Sequence, residues 1–268
     1  RPQRTNQNTH HDRTTGNTQT HRSRHLKSDR IDAGKVQEML SIYETSSPSY
    51  VLMCSIDKCI REIQKNGQQR YDELLNVINK IRKNVNKCKY ISIPCEELKN
   101  ENNVFDVDVT KLIINVNNSG ITGKQLGDIL RYKYNIEVEM DSLKYVLGIT
   151  TICDDYKELE RLAEALKEID KSLEEKQNEN ISVELLKNKR MYSIYETDLK
   201  EKNTVNLFDS KDCISGEFVF LYPPGIPLVV PGEVITEELL EQIKVYLEAN
   251  MNISGLKDNS NKTIEVVK

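Results

Sequence analysis

Residues 1–25 contain no Ala, Val, Ile, Leu, Met, Phe, Tyr, Trp or Cys. A segment without apolar side chains has nothing to bury and cannot form a packed core. We therefore predict that this head is disordered. The chain begins with Arg, and apolar residues start abruptly at Leu26. We hypothesise that the head is non-native, such as a shifted reading frame joined to a genuine body.

Metal-binding patterns are also missing from the sequence. All four histidines lie in the head, and none of the six cysteines forms a CxxC pair or has a histidine nearby. Zinc sites need such clusters, so we predict no metal site and interpret the histidines as incidental. Cysteines within apolar runs and the lack of a secretory signal indicate a reducing, cytoplasmic location.

Long apolar runs and an excess of positive charge are absent as well. No run is long enough to cross a bilayer, which excludes a membrane partner. The net charge is −4, and because the first 30 residues carry +5, the remainder carries −9. An acidic body argues against nucleic acid as a partner. The alternative, a basic tail that binds nucleic acid, would show salt-dependent binding lost on deleting residues 1–25.

The first part of the body reads as helical. Apolar spacing predicts one helix starting at Asp32 and two more at residues 48–65 and 68–87. The first half of the 48–65 helix is apolar nearly all round, which predicts burial on most faces. Without its core partner this helix would expose apolar surface, so dimerisation of this chain alone is an open question.

A compact β-α-β-β-α pattern follows. Strands are predicted at Val109–Val116, Ile136–Met140 and Tyr145–Ile152, with a helix starting at Thr122 and another at Asp154–Asp155. Thr122 and Gln125 have the spacing of a capping box, in which each side chain accepts a backbone amide of the other residue. The order predicts a small sheet covered by helices on one face.

A polar stretch at residues 174–190 separates this unit from a last module. That module has a predicted strand at Gly216–Tyr222, a helix at Thr236–Leu247 and two short strands near Ile253 and Thr263–Val267. Between the first strand and the helix lies YPPGIPLVVPGE, Tyr222–Glu233, in which three prolines stiffen the backbone. Taken alone, this segment is only a rigid loop, and we favour its interpretation as a packing device.

Together with other segments, this proline-rich stretch resembles the Orn/Lys/Arg decarboxylase family, nearest the short bacterial type. Segments that agree in type and order are Leu26–Asp32, Thr45–Tyr50, Thr110–Asn115, Ile136–Glu139, Val146–Ile149 and Ser215–Phe218. The resemblance covers residues 26–268 and implies an α/β (α+β) fold of several parts. These are a head at 1–25, the C-terminal end of a fold-type-I large domain at 26–103, a small α/β domain at 104–180, a linker at 181–189, and the family's C-terminal α+β domain at 190–268.

The resemblance implies decarboxylation of arginine, lysine or ornithine with pyridoxal 5'-phosphate, whose ring accepts the electrons left when CO2 departs. It also implies a homodimer or larger homo-oligomer. The family's Schiff-base lysine lies shortly before the equivalent of Leu26, yet no lysine precedes Lys27 here. We therefore predict no catalytic residue in this chain and no activity as it stands. The alternatives are a native variant that has lost its lysine, or a non-catalytic subunit or interaction module on the same fold.

Two groups of residues are candidates for the remaining site. Thr45, Ser46 and Ser47 place short hydroxyls before a helix, where the resemblance implies contact with the phosphate held by a neighbouring subunit. A helix cap is the alternative explanation. Tyr222, Pro223 and Gly225 are candidates for the border of the active-site entrance. The substrate cannot be chosen from the sequence, because lysine and ornithine differ by one methylene, worth about 1–3 kcal/mol in a pocket.

Overall fold

The computed structural model describes residues 30–43, 47–99, 104–116, 118–175 and 186–268. The head at residues 1–25 lies outside this part of the chain. The chain divides into two compact units, the first ending at Tyr71 and the second beginning at Asp72.

Two helices build the described part of the first unit. Helix α1 spans Ala33–Tyr43, and the Asp32 carboxylate accepts the amides of Gly34 and Lys35 at 2.8 and 3.2 Å, as expected of a helix start. Helix α2 spans Tyr50–Val85 and continues into the second unit.

The predicted division of α2 into helices at 48–65 and 68–87 is wrong. The helix runs through Gly67 without interruption. A glycine costs a helix about 1 kcal/mol relative to alanine, which is too little to break a segment whose neighbours are good helix formers.

The predicted burial of the first half of α2 is also wrong. Tyr50 and Val51 are 75% and 80% exposed, and Ile60 and Ile63 are exposed too. The apolar surface that the sequence places here therefore faces outward in this chain.

The first half of the second unit contains a four-stranded antiparallel sheet and two further helices. The strands are β1 (Ile91–Ser92), β2 (Lys111–Val116), β3 (Met140–Asp141) and β4 (Tyr145–Ile149), in the order β1-β2-β4-β3. Helices α3 (Gly123–Tyr134) and α4 (Tyr156–Ser172) complete the predicted β-α-β-β-α order. Alternate residues of β2, from Leu112 to Val116, are buried, so one face of the sheet meets the core.

This core also takes in the C-terminal half of α2. Leu74, Ile78, Ile81 and Val85 are buried with the sheet residues and with α4. Arg82, 7% exposed, donates to the carbonyls of Val109 and Lys111 at 2.9 and 3.0 Å and so ties α2 to the start of β2. Residues 74–93 therefore pack with residues 112–169. We expected these two groups to lie in different domains, on either side of a boundary between residues 103 and 104.

The second half of the unit has its own core, formed by two small sheets and helix α6. Its elements are α5 (Ile194–Asp198), β5 (Lys202–Asn206), β6 (Val219–Leu221), β7 (Ile226–Val229), α6 (Glu237–Glu248), β8 (Ile253–Ser254) and β9 (Thr263–Val267). Strand β5 pairs with β9, and β6 lies between β7 and β8. Leu143, from the turn between β3 and β4, packs into this second core and so connects it to the first sheet.

Candidate functional site

The hydroxyl segment before α2 is only partly described. Thr45 and Ser46 lie outside the described residues, and Ser47 is exposed. The helix is capped instead by Ser49, whose Oγ accepts the amide of Leu52 at 3.4 Å and whose carbonyl accepts Met53 at 3.1 Å. Phosphate contact by Thr45, Ser46 and Ser47 stays a prediction.

The proline-rich segment forms a hairpin. Strands β6 and β7 pair antiparallel, with Leu221 opposite Ile226, and the turn between them is Tyr222–Gly225. The amide of Gly225 donates to the Leu221 carbonyl at 2.9 Å, and Gly225 has a φ of +102°, which glycine adopts readily. We call residues 221–227 the proline hairpin. Its turn is exposed, including the candidate border residues Tyr222, Pro223 and Gly225.

Hydrogen bonds of Asn188 and Glu233 fix the segment that follows the proline hairpin, and we call this pair the polar brace. Glu233 Oε2 accepts the amide of Val230 at 3.1 Å and Asn188 Nδ2 at 3.2 Å, and Asn188 Nδ2 also donates to the Leu228 carbonyl at 2.7 Å. Gly232 allows this close packing, since a Cβ there would lie 2.3 Å from the Tyr192 carbonyl oxygen. Asn188 was not found from the sequence because it lies 45 residues from Glu233.

A pocket of about 350 Å³ lies between the proline hairpin and the β3–β4 turn. We call it the proline pocket. Its walls are mainly apolar, and its lining residues are Met140, Asp141, Ser142, Leu143, Lys144, Tyr145, Leu186, Leu221, Pro223, Ile226, Pro227, Leu228, Gln242, Tyr246 and Met251. Of the three candidate border residues, Pro223 lines this pocket. Burial raises the pKa of Tyr246, which keeps its phenol neutral.

The β3–β4 turn is fixed against α3 by a close contact and an ion pair. A Cβ on Gly123 would lie 2.3 Å from the Tyr145 carbonyl oxygen, so the helix start approaches the turn directly. Thr122 and Gln125 form the predicted capping box at this helix start. Asp141 Oδ2 lies 3.8 Å from Lys124 Nζ, which also pairs with Asp128 at 2.5 Å. Burial raises the pKa of Asp141, against the opposing attraction of Lys124.

The described residues do not fit a pyridoxal-phosphate site. A Schiff-base lysine is typically desolvated, which lowers its pKa. None of the buried residues in the described part of the chain is a lysine. Where the pKa of a described lysine is shifted, carboxylate or phenol partners raise it, as at Lys80, Lys89 and Lys133. No chemical step through the cofactor can therefore be assigned to these side chains.

Two other classes of site are absent from the same described residues. No group of three or more His, Cys, Asp or Glu side chains is placed to hold a metal ion within the described ranges. No described helix is long and apolar enough to cross a membrane.

Comparison with known families finds two matches, one in the first part of the chain and one in the last part. Residues 5–112 match the Orn/Lys/Arg decarboxylase major domain, and residues 174–259 match the C-terminal domain of the same family. The first match begins at residue 5, inside the head at residues 1–25. That this head is non-native stays a hypothesis.

Curated relatives extend the match along most of the chain. An arginine decarboxylase of Bacillus subtilis is 34% identical over 241 residues, covering 89% of this chain and 49% of the relative. An arginine decarboxylase of Bacillus anthracis is 29% identical, covering 91% and 50%. The chain thus spans about half the length of the curated relatives it matches.

Solved structures show the same fold. The lysine decarboxylase of Francisella novicida aligns with a TM-score of 0.71 at 17% identity, over 91% of this chain and 46% of that structure. The constitutive lysine decarboxylase of E. coli gives 0.70 at 17% identity, over 91% and 47%. The ordered matches to both family domains, together with this fold, show that the chain belongs to the Orn/Lys/Arg decarboxylase family.

Proposed function

We propose that this chain forms the C-terminal part of a decarboxylase that converts a basic amino acid to an amine and CO2 in the cytoplasm. The observation that carries the proposal is the match of both family domains in their family order. Arginine is the first substrate to test, because the relatives at 34% and 29% identity are named arginine decarboxylases. Lysine and ornithine are the alternatives.

We propose further that the chain is inactive as it stands. The support is chemical, since no lysine precedes Lys27 and no lysine is buried among the described residues. In an assembled homodimer or larger homo-oligomer, the proline hairpin would border the active-site entrance. Its exposed turn and its rigid brace at Glu233 support that role.

A chimera tests the proposed function directly. The part of the Bacillus subtilis arginine decarboxylase that precedes the equivalent of Leu26 would be fused to residues 26–268 of this chain. We expect the chimera to bind pyridoxal phosphate and release labelled CO2 from arginine. The same chimera with its Schiff-base lysine changed to alanine is the matched control. A folded chimera that binds the cofactor but releases no CO2 from arginine, lysine or ornithine would contradict the proposal.

The second candidate is a non-catalytic subunit or interaction module on the same fold. The exposed apolar residues Tyr50 and Val51 favour it, because such surface often marks a protein contact. Capture of an intact family decarboxylase by this chain, without activity of the chimera, would support this alternative over the first.

A further inference from the structure

The proline pocket has the size and composition of a small-molecule site. Its volume of about 350 Å³ corresponds to roughly a dozen water molecules at about 30 Å³ each. Pockets of this size with apolar walls and a few polar groups are the usual form of ligand sites. The apolar lining comes from two segments, with Met140 and Leu143 from β3 and the turn after it, and Leu221, Ile226 and Leu228 from the proline hairpin and β7.

The two charged groups that line this pocket differ in their surroundings. Only Asp141 and Lys144 are charged among its lining residues. Asp141 Oδ2 lies 3.8 Å from Lys124 Nζ and faces α3, since it would lie 3.3 Å from a Cβ built on Gly127. Lys144 is exposed and forms no ion pair with any residue in the described ranges. A ligand that enters therefore meets apolar walls and one unmatched ammonium.

We propose that the proline pocket binds a small monocarboxylate with an apolar body. The apolar body fills the space between the β3–β4 turn and the proline hairpin, and the carboxylate pairs with Lys144 Nζ. The proposed ligand differs from the amino-acid substrate of the proposed function, which carries two cationic groups besides its carboxylate. This inference does not depend on the decarboxylase proposal, and neither outcome decides the other.

Titration calorimetry of the full chain with octanoate tests the proposal. Octylammonium has the same apolar body with the opposite charge, and octanol is the neutral analogue. We expect octanoate to bind more tightly than either, with an affinity that falls as salt is added. Lys144→Gln should weaken octanoate binding about two- to five-fold, the range of an exposed ion pair, and leave octanol unchanged. Lys157→Gln removes another exposed lysine, on α4, and should change neither.

A second variant tests the apolar half of the site. Ile226→Trp places a larger side chain in the pocket wall and should weaken octanoate and octanol together, with an unchanged circular dichroism spectrum as the control for folding. Several results would overturn the proposal: no octanoate binding, equal binding of octanoate and octylammonium, or equal octanoate affinity in Lys144→Gln and the parent chain. The lysine variant alters an exposed residue, so it decides the matter even if Ile226→Trp fails to fold.

Discussion

The Glu217 carboxylate accepts the backbone amide of Glu265 at 2.8 Å, across 48 residues of sequence. Its second oxygen accepts the amide of Lys257 at 2.9 Å. Glu217 is 6% exposed, so a buried side chain supplies acceptors for one amide in the segment between β8 and β9 and one amide in β9. Glu217 lies two residues before β6, so this contact connects the segment that leads into β6 with β9.

Replacing Glu217 by alanine should therefore destabilise the second unit. Two partly buried amides lose their acceptors. A fully buried unsatisfied group costs about 1–3 kcal/mol, so we expect the free energy of unfolding to fall by about 2 kcal/mol. Urea denaturation measures it. Glu201→Ala is the matched control, because Glu201 forms an exposed pair with Lys268 and should cost less than about 1 kcal/mol. Equal effects of the two variants would show that the Glu217 contact contributes little.

Two glycine-to-alanine variants test the local geometry in opposite directions. A Cβ on Gly123 would meet the carbonyl oxygens of Ser142 and Tyr145 at 2.5 and 2.3 Å, so Gly123→Ala should destabilise the unit by about 2 kcal/mol or more. Gly67→Ala lies inside α2, where the new Cβ meets only the exposed Ile63 side chain, at 3.1 Å.

We expect Gly67→Ala to stabilise α2 by up to about 1 kcal/mol, because alanine has the higher helix propensity. Helical circular dichroism and thermal unfolding measure both changes. A loss of helix in Gly67→Ala would mean that the chain bends at this glycine, as two separate helices would require.

The stability of the second unit should depend on the ionisation of Asp141. Burial raises the pKa of this carboxyl, so the folded state favours its protonated form. That contribution is complete at low pH and is lost as the pH rises through the raised pKa. Asp141→Asn should therefore gain stability relative to the parent chain between about pH 4 and 7. Urea denaturation at several pH values measures the difference.

Glu137 provides a control of opposite sign. Its hydrogen bonds with Arg131 lower the pKa of Glu137, so its contribution appears as the pH rises and is lost as the pH falls through the lowered pKa. Glu137→Gln should thus be less stable than the parent above about pH 4.5, and the difference should shrink as the pH falls below that value. Parallel pH profiles for the two variants would contradict the assignment of Asp141.

Cysteine alkylation should report whether α2 is covered in an oligomer. Cys54 and Cys59 on α2 and Cys153 before α4 are exposed, whereas Cys95 is buried. In a dilute, monomeric sample, iodoacetamide should modify the three exposed thiols first, as measured by mass spectrometry. Burial and then Asp170 raise the pKa of Cys88, which should slow its reaction.

If the chain forms a homo-oligomer through α2, raising its concentration should protect Cys54 and Cys59 while Cys153 remains reactive. Protection of all three thiols together would indicate nonspecific aggregation instead. Constant reactivity in a sample shown to be oligomeric by light scattering would place the contact elsewhere.

Patterns of local origin were predictable from the sequence. The alternation in β2, the Thr122–Gln125 capping box and the Asp155 cap of α4 each depend on residues a few positions apart. The order β-α-β-β-α followed from them. The proline hairpin was recognised as rigid, but β7 was missed because Pro227 argues against a strand; β7 tolerates it as an edge strand of its sheet.

Features that depend on distant residues were not predictable. Asp170 accepts the amides of Lys89, Tyr90 and Ile91, about 80 residues earlier. The proline pocket likewise joins the β3–β4 turn to a hairpin some 80 positions later. Such contacts follow from the packing of whole elements, and no short sequence pattern around Asp170 or Lys144 predicts them.

The most direct test of the account is reductive trapping of pyridoxal phosphate on the chain itself. The purified chain would be saturated with the cofactor, reduced with borohydride and mapped by mass spectrometry, in parallel with CO2 release from labelled arginine, lysine and ornithine. We predict no CO2 release and only scattered, substoichiometric labelling of exposed lysines. One stoichiometric adduct at a single lysine, accompanied by CO2 release, would contradict the claim that this chain lacks the reactive amine of its family.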